Sequence, residues 1–297
     1  MANTIAGTNL TQISIMSLDI LQRELIPFQA FQTDFSAELA QEGAAVTTRI
    51  ATAPSAADLS SGYTAVDQTL TAKTVTLSNF KGLVVGFTDL EVTKSSVSLI
   101  DLFIVPGVRA MTNAIFDDVN NLVTNANFSQ NEVVAAASFT ANSLALLSKD
   151  LTIANASKDG RAAIINSTYF YNLAKDADLK NYLNYGSNSV IVNNVIPRVH
   201  GFDVYELSSI DSTPNAQSEN LAGWVNTKQA LLIAARLPAA PANFPGEIAN
   251  VTDPGTGFSY QFRRWYDPDA GLHKMSVGTI WGVSVGNASC LYRILSA

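Results

Sequence analysis

The 297-residue sequence has little of what most enzymes need. It contains one cysteine, Cys290, and two histidines, His200 and His273. A single cysteine excludes an intrachain disulfide. Cys290 lies in the apolar end "SCLYRIL", where a buried structural thiol is expected rather than a nucleophile. Two histidines so far apart would need several carboxylates to complete a zinc site. No phosphate-binding loop, His-Glu-x-x-His helix or Gly-x-Ser-x-Gly elbow is present. The segment "DPDAGLHKMSVG" resembles a calcium loop only superficially. Its glycine comes one position early and Gly278 stands where a bidentate Glu is required, so a plain hairpin turn is expected. No catalytic residue, cofactor or metal is therefore assigned, and the chain is not expected to be an enzyme.

Charge is also scarce. Charged residues make up 14% of the chain and the net charge is −7. Arg263-Arg264 is the longest basic run, which argues against a dedicated nucleic-acid binder. A weakly charged surface favours packing of one copy against another. The apolar runs are far too short for a membrane span. The first residues lack the charged and apolar regions of a signal peptide, so assembly in a cytoplasm is expected. Asn-x-Ser/Thr triplets, such as those at Asn9 and Asn166, arise by chance in a chain this rich in Asn, Ser and Thr.

What is present is an ordered series of elements. "SLDILQREL" predicts a short helix that Pro27 ends or interrupts, and Phe28, Phe31 and Phe35 then recur at spacings of three and four, a stripe expected to pack on something. Residues 1–40 are read as an arm lying on another body. Residues 43–90 contain two stretches rich in β-branched residues, "AAVTTRIATA" and "YTAVDQTLTAKTVTLSNF", around the turn-prone "PSAADLSSG". This predicts a long two-stranded hairpin with neither face suited to a core. Such a ribbon is marginal alone and needs outside support.

A helix then starts near Ser95 or Ser96. Ile100, Ile104, Val108, Met111, Ile115, Val119 and Leu122 form one face over about seven turns. Leu99, Phe103, Phe116 and Val123 widen it. Pro106, with Gly107, is expected to kink or divide the rod. The stripe is expected to pack on the final hairpin that carries Trp265 and Trp281. The pair Asp117-Asp118 is read as a solvated face.

Residues 139–179 read as α/β material. A helix has Leu144, Leu147 and Leu151 inward, "GRAAIIN" is a buried strand, and a second helix is capped by Ser167 or Asn166. "SVIVNNVIPRVHGFDVYELSSI" predicts two strands, "DSTPNAQSEN" a polar loop, and "GWVNTKQALLIAARL" strand or strand plus helix. Pro238, Pro241 and Pro245 mark a connector. "SYQFRRWYD", "KMSVGTIWGVSVG" and "CLYRIL" close the chain as β-structure.

This order resembles the major capsid protein of tailed bacteriophages, the Hong Kong 97-type fold, over essentially the whole chain. "FSAELAQEGAAVTTRI" is similar to the entry of that family's extended loop, and "VTKSSVSLIDLFIVPGVRAMTNAIFDDV" to its spine helix. "DGRAAIINSTYFYNLAKDADL" and "RVHGFDVYELSSI" resemble its axial domain. "YQFRRWYDPDAGLHKMSVGTIWGVSV" resembles the last hairpin of its peripheral domain. One departure is "NNVIPRV", which replaces a more usual Gly-rich turn before His200.

The resemblance implies an α+β class with an N-terminal arm (1–40), an extended β-hairpin loop (41–90), a peripheral domain with a spine helix (91–135), an axial domain (136–250) and C-terminal peripheral strands (251–297). It implies self-assembly through pentamers and hexamers into an icosahedral shell. That shell would enclose double-stranded DNA without sequence-specific binding or a membrane. Portal, scaffolding and decoration proteins are implied partners. The implied location is the virion capsid, assembled in the host bacterial cytoplasm. Intersubunit contacts are expected at Arg49, Pro54, Asp58, Leu59, Tyr63, Asp67 and Lys73 of the loop. Thr213, Pro214, Asn215 and Glu219 are expected near the ring axis or on a capsomer surface. Lysine–asparagine cross-linking, known in the family, would have Lys73 and Lys81 as candidates, but no acidic catalyst or asparagine partner is identified. A cellular nanocompartment shell of the same fold is the alternative. An enzyme or binding module on another α+β fold is the reading from a different class.

Overall fold

The computed structural model describes residues 25–51, 60, 70–94, 99–177, 179, 196, 198–241 and 243–297. The first described segment already departs from the expected arm. Ile26–Ala30 form a 3-10 turn and β1 (Gln32–Ala40) follows. Phe28 and Phe31 are buried, and Phe28 stacks on Phe116 at 4.5 Å between ring centroids. The phenylalanine stripe thus packs, as expected, but without forming an α-helix. The chain turns from a 3-10 turn into a strand, and the rings converge on the subunit's own core. The helix expected over "SLDILQREL" lies outside the described residues except for Leu25, which is buried.

Two larger sheets and one ribbon carry the chain. The hairpin strands β2 (Ala45–Ala51) and β3 (Leu70–Thr76) pair antiparallel, Ala45 opposite Thr76. The next stretch, β4 (Asn79–Thr88), is not ribbon. It joins a six-stranded sheet by pairing with β12 (Leu272–Val285). That sheet runs β1, β9 (Leu231–Pro238), β12, β11 (Ser259–Asp267) and β10 (Gly246–Thr252), with β4 also on β12. β1 and β9 are parallel, and the remaining pairs are antiparallel.

The second sheet has five strands: β5 (Asn131–Val133), β13 (Leu291–Leu295), β8 (Leu221–Thr227), β6 (Arg161–Ile165) and β7 (Asp203–Glu206). Every residue of β6 and β8 is buried, as suits strands covered on both faces. The sheets cut across the expected domain limits. β9 lies within 136–250 and β10 crosses its end, yet both belong to the six-stranded sheet. β13 belongs to the five-stranded sheet although it lies within 251–297. The stretch "GWVNTKQALLIAARL" holds no α-helix: a 3-10 turn, Lys228–Ala230, passes the chain from one sheet to the other. Of the two strands expected around His200, the second is β7, and the first lies outside the described residues.

Four α-helices are described. α1 (Asp89–Lys94) is short and was not expected. Thr88 begins it with a capping box, its N–H donating to Glu91 Oε2 at 2.9 Å and its hydroxyl accepting from the Glu91 N–H at 3.2 Å. The expected cap at Ser95 or Ser96 lies outside the described residues. α2 (Leu99–Leu122) is the long helix, 24 residues or roughly 36 Å at 1.5 Å per residue. It runs unbroken through Pro106, which is exposed. α3 (Ala141–Ile153) buries Leu144, Leu147 and Leu151, and α4 (Ser167–Ala174) is capped by Asn166, whose Oδ1 accepts from Tyr169 N–H at 2.9 Å. One apolar cluster unites α2, α3, α4, both large sheets and the segment from Leu25 to Phe31. A smaller one joins Val75 and Leu77 to Leu232, Ala234 and Ile280.

Candidate functional site

The ribbon is the least self-sufficient part of the structure. Arg49 and Leu70 are exposed, and Lys73 is half-buried. The Thr47 and Thr74 hydroxyls lie 3.4 Å apart across the strands. Apolar anchoring is confined to the base. Val75 and Leu77 pack on β9 and β12, and the chain closes there through Gly43 N–H to Leu77 O at 2.8 Å. Gly43 has φ +88°, which glycine adopts without strain. A Cβ on Gly282 would sit 2.0 Å from Thr76 O, so only glycine lets β3 cross β12 this closely. Pro54, Asp58, Leu59, Tyr63 and Asp67 lie outside the described residues. A two-stranded ribbon gripped at one end offers unpaired edges and exposed faces to another body.

The long helix is held inside the subunit. Val108, Met111, Ile115, Phe116 and Val119 are buried in the main cluster. The side chains of Ile100 and Ile104 lie outside the described part. Trp281 faces this cluster and is wholly buried. Trp265 does not: strand alternation turns Tyr260 and Phe262 toward the cluster and Trp265 to the other face, where its ring lies 5.7 Å from that of Phe244. Asp118 is not simply solvated either. It accepts from Trp281 Nε1 at 2.8 Å and from Lys81 Nζ at 3.4 Å. Lys81 Nζ also sits 5.4 Å from the Trp281 ring centroid. Asp117 is exposed, and partial burial together with the charge of Asp118 raises its carboxyl pKa.

The loop "DSTPNAQSEN" stays at the surface but is tied down. Thr213 and Asn215 are exposed, and the side chain of Pro214 lies outside the described part. Asn166 Nδ2 donates to Asp211 O at 2.8 Å and Thr168 Oγ1 to Ser212 O at 2.6 Å, fastening the loop to the start of α4. Glu219, with φ 56°, turns back into the subunit. Its Oε2 accepts from Arg293 Nη1 at 2.5 Å and from Asn125 N–H at 2.7 Å. Arg293 is 2% exposed and also donates to Asn125 Oδ1 at 2.8 Å. Sequence reading missed this junction because its three members are far apart in the chain. The one local hint is a charged residue, Arg293, inside an apolar strand.

The remaining polar groups are structural in geometry. Asp267 Oδ1 accepts from the N–H groups of Asp269 and Ala270, and Oδ2 accepts from Lys274 Nζ at 2.6 Å. The calcium-like spacing is therefore a closed turn, and the hydrogen bond from Lys274 holds the Asp267 pKa below its ordinary value. His273 Nε2 lies 3.1 Å from Asp89 Oδ1, and the Tyr266 hydroxyl donates to Asp89 Oδ2 at 2.9 Å. That bond raises the Tyr266 pKa. Cys290 is buried. Among the described residues no three His, Cys, Asp or Glu side chains gather as a metal site. No described helix is long and apolar enough to cross a membrane.

No protein-family model matches the chain, and no curated protein does. Solved structures do. A chain from the capsid structure of cyanophage P-SCSP1u aligns with a TM-score of 0.59 at 12% identity, over 92% of this chain and 88% of that one. A chain from Mycobacterium phage Che8 aligns at 0.55 and 12% identity, over 99% and 93%. The virus-like particle from Pyrococcus furiosus aligns at 0.51 and 11% identity, over 96% and 98%. At such low identity the likeness lies in the backbone, and it spans nearly every element from the 3-10 turn to β13. The chain has the fold of tailed-phage major capsid proteins.

Proposed function

We propose that this chain is a major capsid protein that assembles into the icosahedral shell of a tailed phage. The observation that supports it most is the likeness to chains from phage capsid structures, over more than nine-tenths of this chain and 86–88% of theirs. In this reading α2 is the spine helix of the Hong Kong 97-type fold, and the β2–β3 ribbon is its extended loop. The six-stranded sheet forms most of the peripheral domain. The five-stranded sheet with α3 and α4 forms the axial domain, with β13 crossing into it.

The geometry suits assembly. A single core fixes the subunit as a rigid unit, while the ribbon keeps its exposed residues for a neighbour. Arg49 and Lys73, with Pro54, Asp58, Leu59, Tyr63 and Asp67, are the proposed contacts. Thr213, Pro214 and Asn215 would lie near the ring axis or on a capsomer surface, on a loop braced by Glu219. Rings of five and six close by symmetry, and many weak contacts act together. Double-stranded DNA would be enclosed without sequence readout, with portal, scaffolding and decoration proteins as partners. Assembly would take place in the host bacterial cytoplasm.

The likeness to the Pyrococcus furiosus particle favours a second reading, a cellular nanocompartment shell. Light scattering and electron microscopy of the expressed chain test the shell reading: capsomers or closed particles of megadalton mass are expected. A small soluble oligomer under all assembly conditions refutes it. Deleting Ser55–Gly62 should leave a folded subunit that no longer closes shells, and normal stable particles from that deletion would remove the ribbon from the interface.

A further inference from the structure

We propose that the cleft beside the C-terminal half of α3 binds a phosphate-class oxyanion. The cleft encloses about 440 Å³ and is lined by Ser148, Lys149, Lys158, Arg161, His200 and neighbouring residues. Its floor is a buried cation. Arg161 is 2% exposed, and its hydrogen-bond partners among the described residues are all neutral. Nε donates to Ser157 O at 2.8 Å, Nη1 to Ser148 O at 2.9 Å and Ser148 Oγ at 3.0 Å, and Nη2 to Thr152 Oγ1 at 3.1 Å and Ala156 O at 3.0 Å. No carboxylate stands among these acceptors. All five guanidinium N–H donors are used on helix-end carbonyls and hydroxyls, so Arg161 offers the cleft no hydrogen bond and bears on it only through the charge left after those dipoles.

The walls add to that field. Lys158 makes no ion pair among the described residues, and Lys149 meets only Asp150, at 3.1 Å, with its own side chain 58% exposed. Ser148 Oγ accepts from Arg161, which leaves its hydroxyl proton free to donate. The fourth wall is a tight turn in which His200 and Gly201 both have positive φ, 47° and 90°. A non-glycine residue pays for that conformation, and such strain gathers where a side chain must be aimed. Two ammonium groups, a hydroxyl and an imidazole around a buried guanidinium match an oxyanion of two or more negative charges. The cleft is a local cationic exception in a chain of net charge −7. A free phosphate and a nucleic-acid phosphodiester share this chemistry.

The inference stands apart from the shell reading, since the cleft belongs to one subunit. Calorimetric titration of the full chain with inorganic pyrophosphate, at matched ionic strength, tests it. Saturable one-site binding is expected, weakened about tenfold or more in Lys149→Gln/Lys158→Gln through loss of charge-assisted contacts. Lys175→Gln/Arg264→Gln removes the same charge away from the cleft and the ribbon and should bind as wild type. A second titration with a short DNA duplex identifies the source. Duplex binding lost in the cleft variant assigns a phosphodiester, and pyrophosphate binding alone assigns a free phosphate. No saturable binding of either probe, or equal weakening in both double variants, overturns the proposal.

Discussion

Replacing Ile115 by Ala separates core from interface. Ile115 is fully buried in the cluster that α2 shares with the six-stranded sheet, next to Phe116, which stacks on Phe28. The substitution removes three carbons. At about 0.8 kcal/mol per buried CH₂ the transfer loss alone is about 2.4 kcal/mol, and the cavity raises it into the range of about 2–5 kcal/mol. The assay is a urea melt of unassembled subunits. The expected result is a lower midpoint with an unchanged slope, seen before any change in shell geometry. Asp117, two residues on, is the control. It is exposed, and Asp117→Ala should cost no more than about 0.5 kcal/mol. Its raised pKa also fixes a sign. Ionising Asp117 is harder in the folded state, so its contribution is most favourable below about pH 3.8 and is lost as pH rises through the raised value. Asp117→Asn should therefore gain on wild type at neutral pH and lose that gain toward pH 3. If Ile115→Ala melts like wild type while particles fail to close, α2 presents its stripe to a neighbour and the division drawn above is wrong.

Three further substitutions probe single junctions. A Cβ on Gly107 would lie 2.4 Å from Leu83 Cδ2; Gly107→Ala should lower subunit stability by about 1 kcal/mol. In a Leu83→Ala background the clash is gone, so the same change should raise stability by about 1 kcal/mol through helix propensity. A destabilising effect in both backgrounds would place the strain elsewhere. Glu219→Ala strands the buried Arg293 charge and the Asn125 N–H. The expected loss is about 2 kcal/mol, at the low end for a broken buried pair because Glu219 keeps 38% side-chain exposure. Adding Arg293→Met should recover much of it, and no recovery would deny the charge argument. Asp118→Ala leaves the Trp281 indole N–H without its acceptor and should cost about 1–3 kcal/mol, with a change in tryptophan fluorescence on the folded subunit; an unchanged spectrum would count against that bond in solution.

Periodic elements were legible in the sequence, and elements defined by a distant partner were not. The long helix announces itself because Val108, Met111, Ile115 and Val119 sustain a spacing of three and four over several turns. The ribbon shows as β-branched residues without a core face. Phe28, Phe31 and Phe35 show the limit of that signal: the same spacing here packs from a 3-10 turn and the strand after it, Phe28 and Phe35 against Phe258, Phe28 also on Phe116, and Phe31 edge-on to Phe28. One residue run feeds two sheets, and no local signal marks the change. β8 and β9 are separated by three residues, and nothing local says that they pair in different sheets. Asp118 and Glu219 were read from their own neighbourhoods, while their partners Trp281 and Arg293 come from the far end of the chain.

The same long-range ties explain how the chain can carry a weakly supported ribbon without losing its own fold. β12 pairs with β4, β9 and β11 at once and also carries Ile280 and Gly282, on which the ribbon base rests. Its 14 residues therefore hold the main sheet whether or not the ribbon is covered. A force on the ribbon meets Val75, Leu77 and the Thr76–Gly282 contact first, and that small cluster lies apart from the main core. Bending at the base would disturb a few buried side chains while the long helix and both sheets keep theirs. The position where such bending must be felt is Gly282, since any side chain there would push β3 off β12.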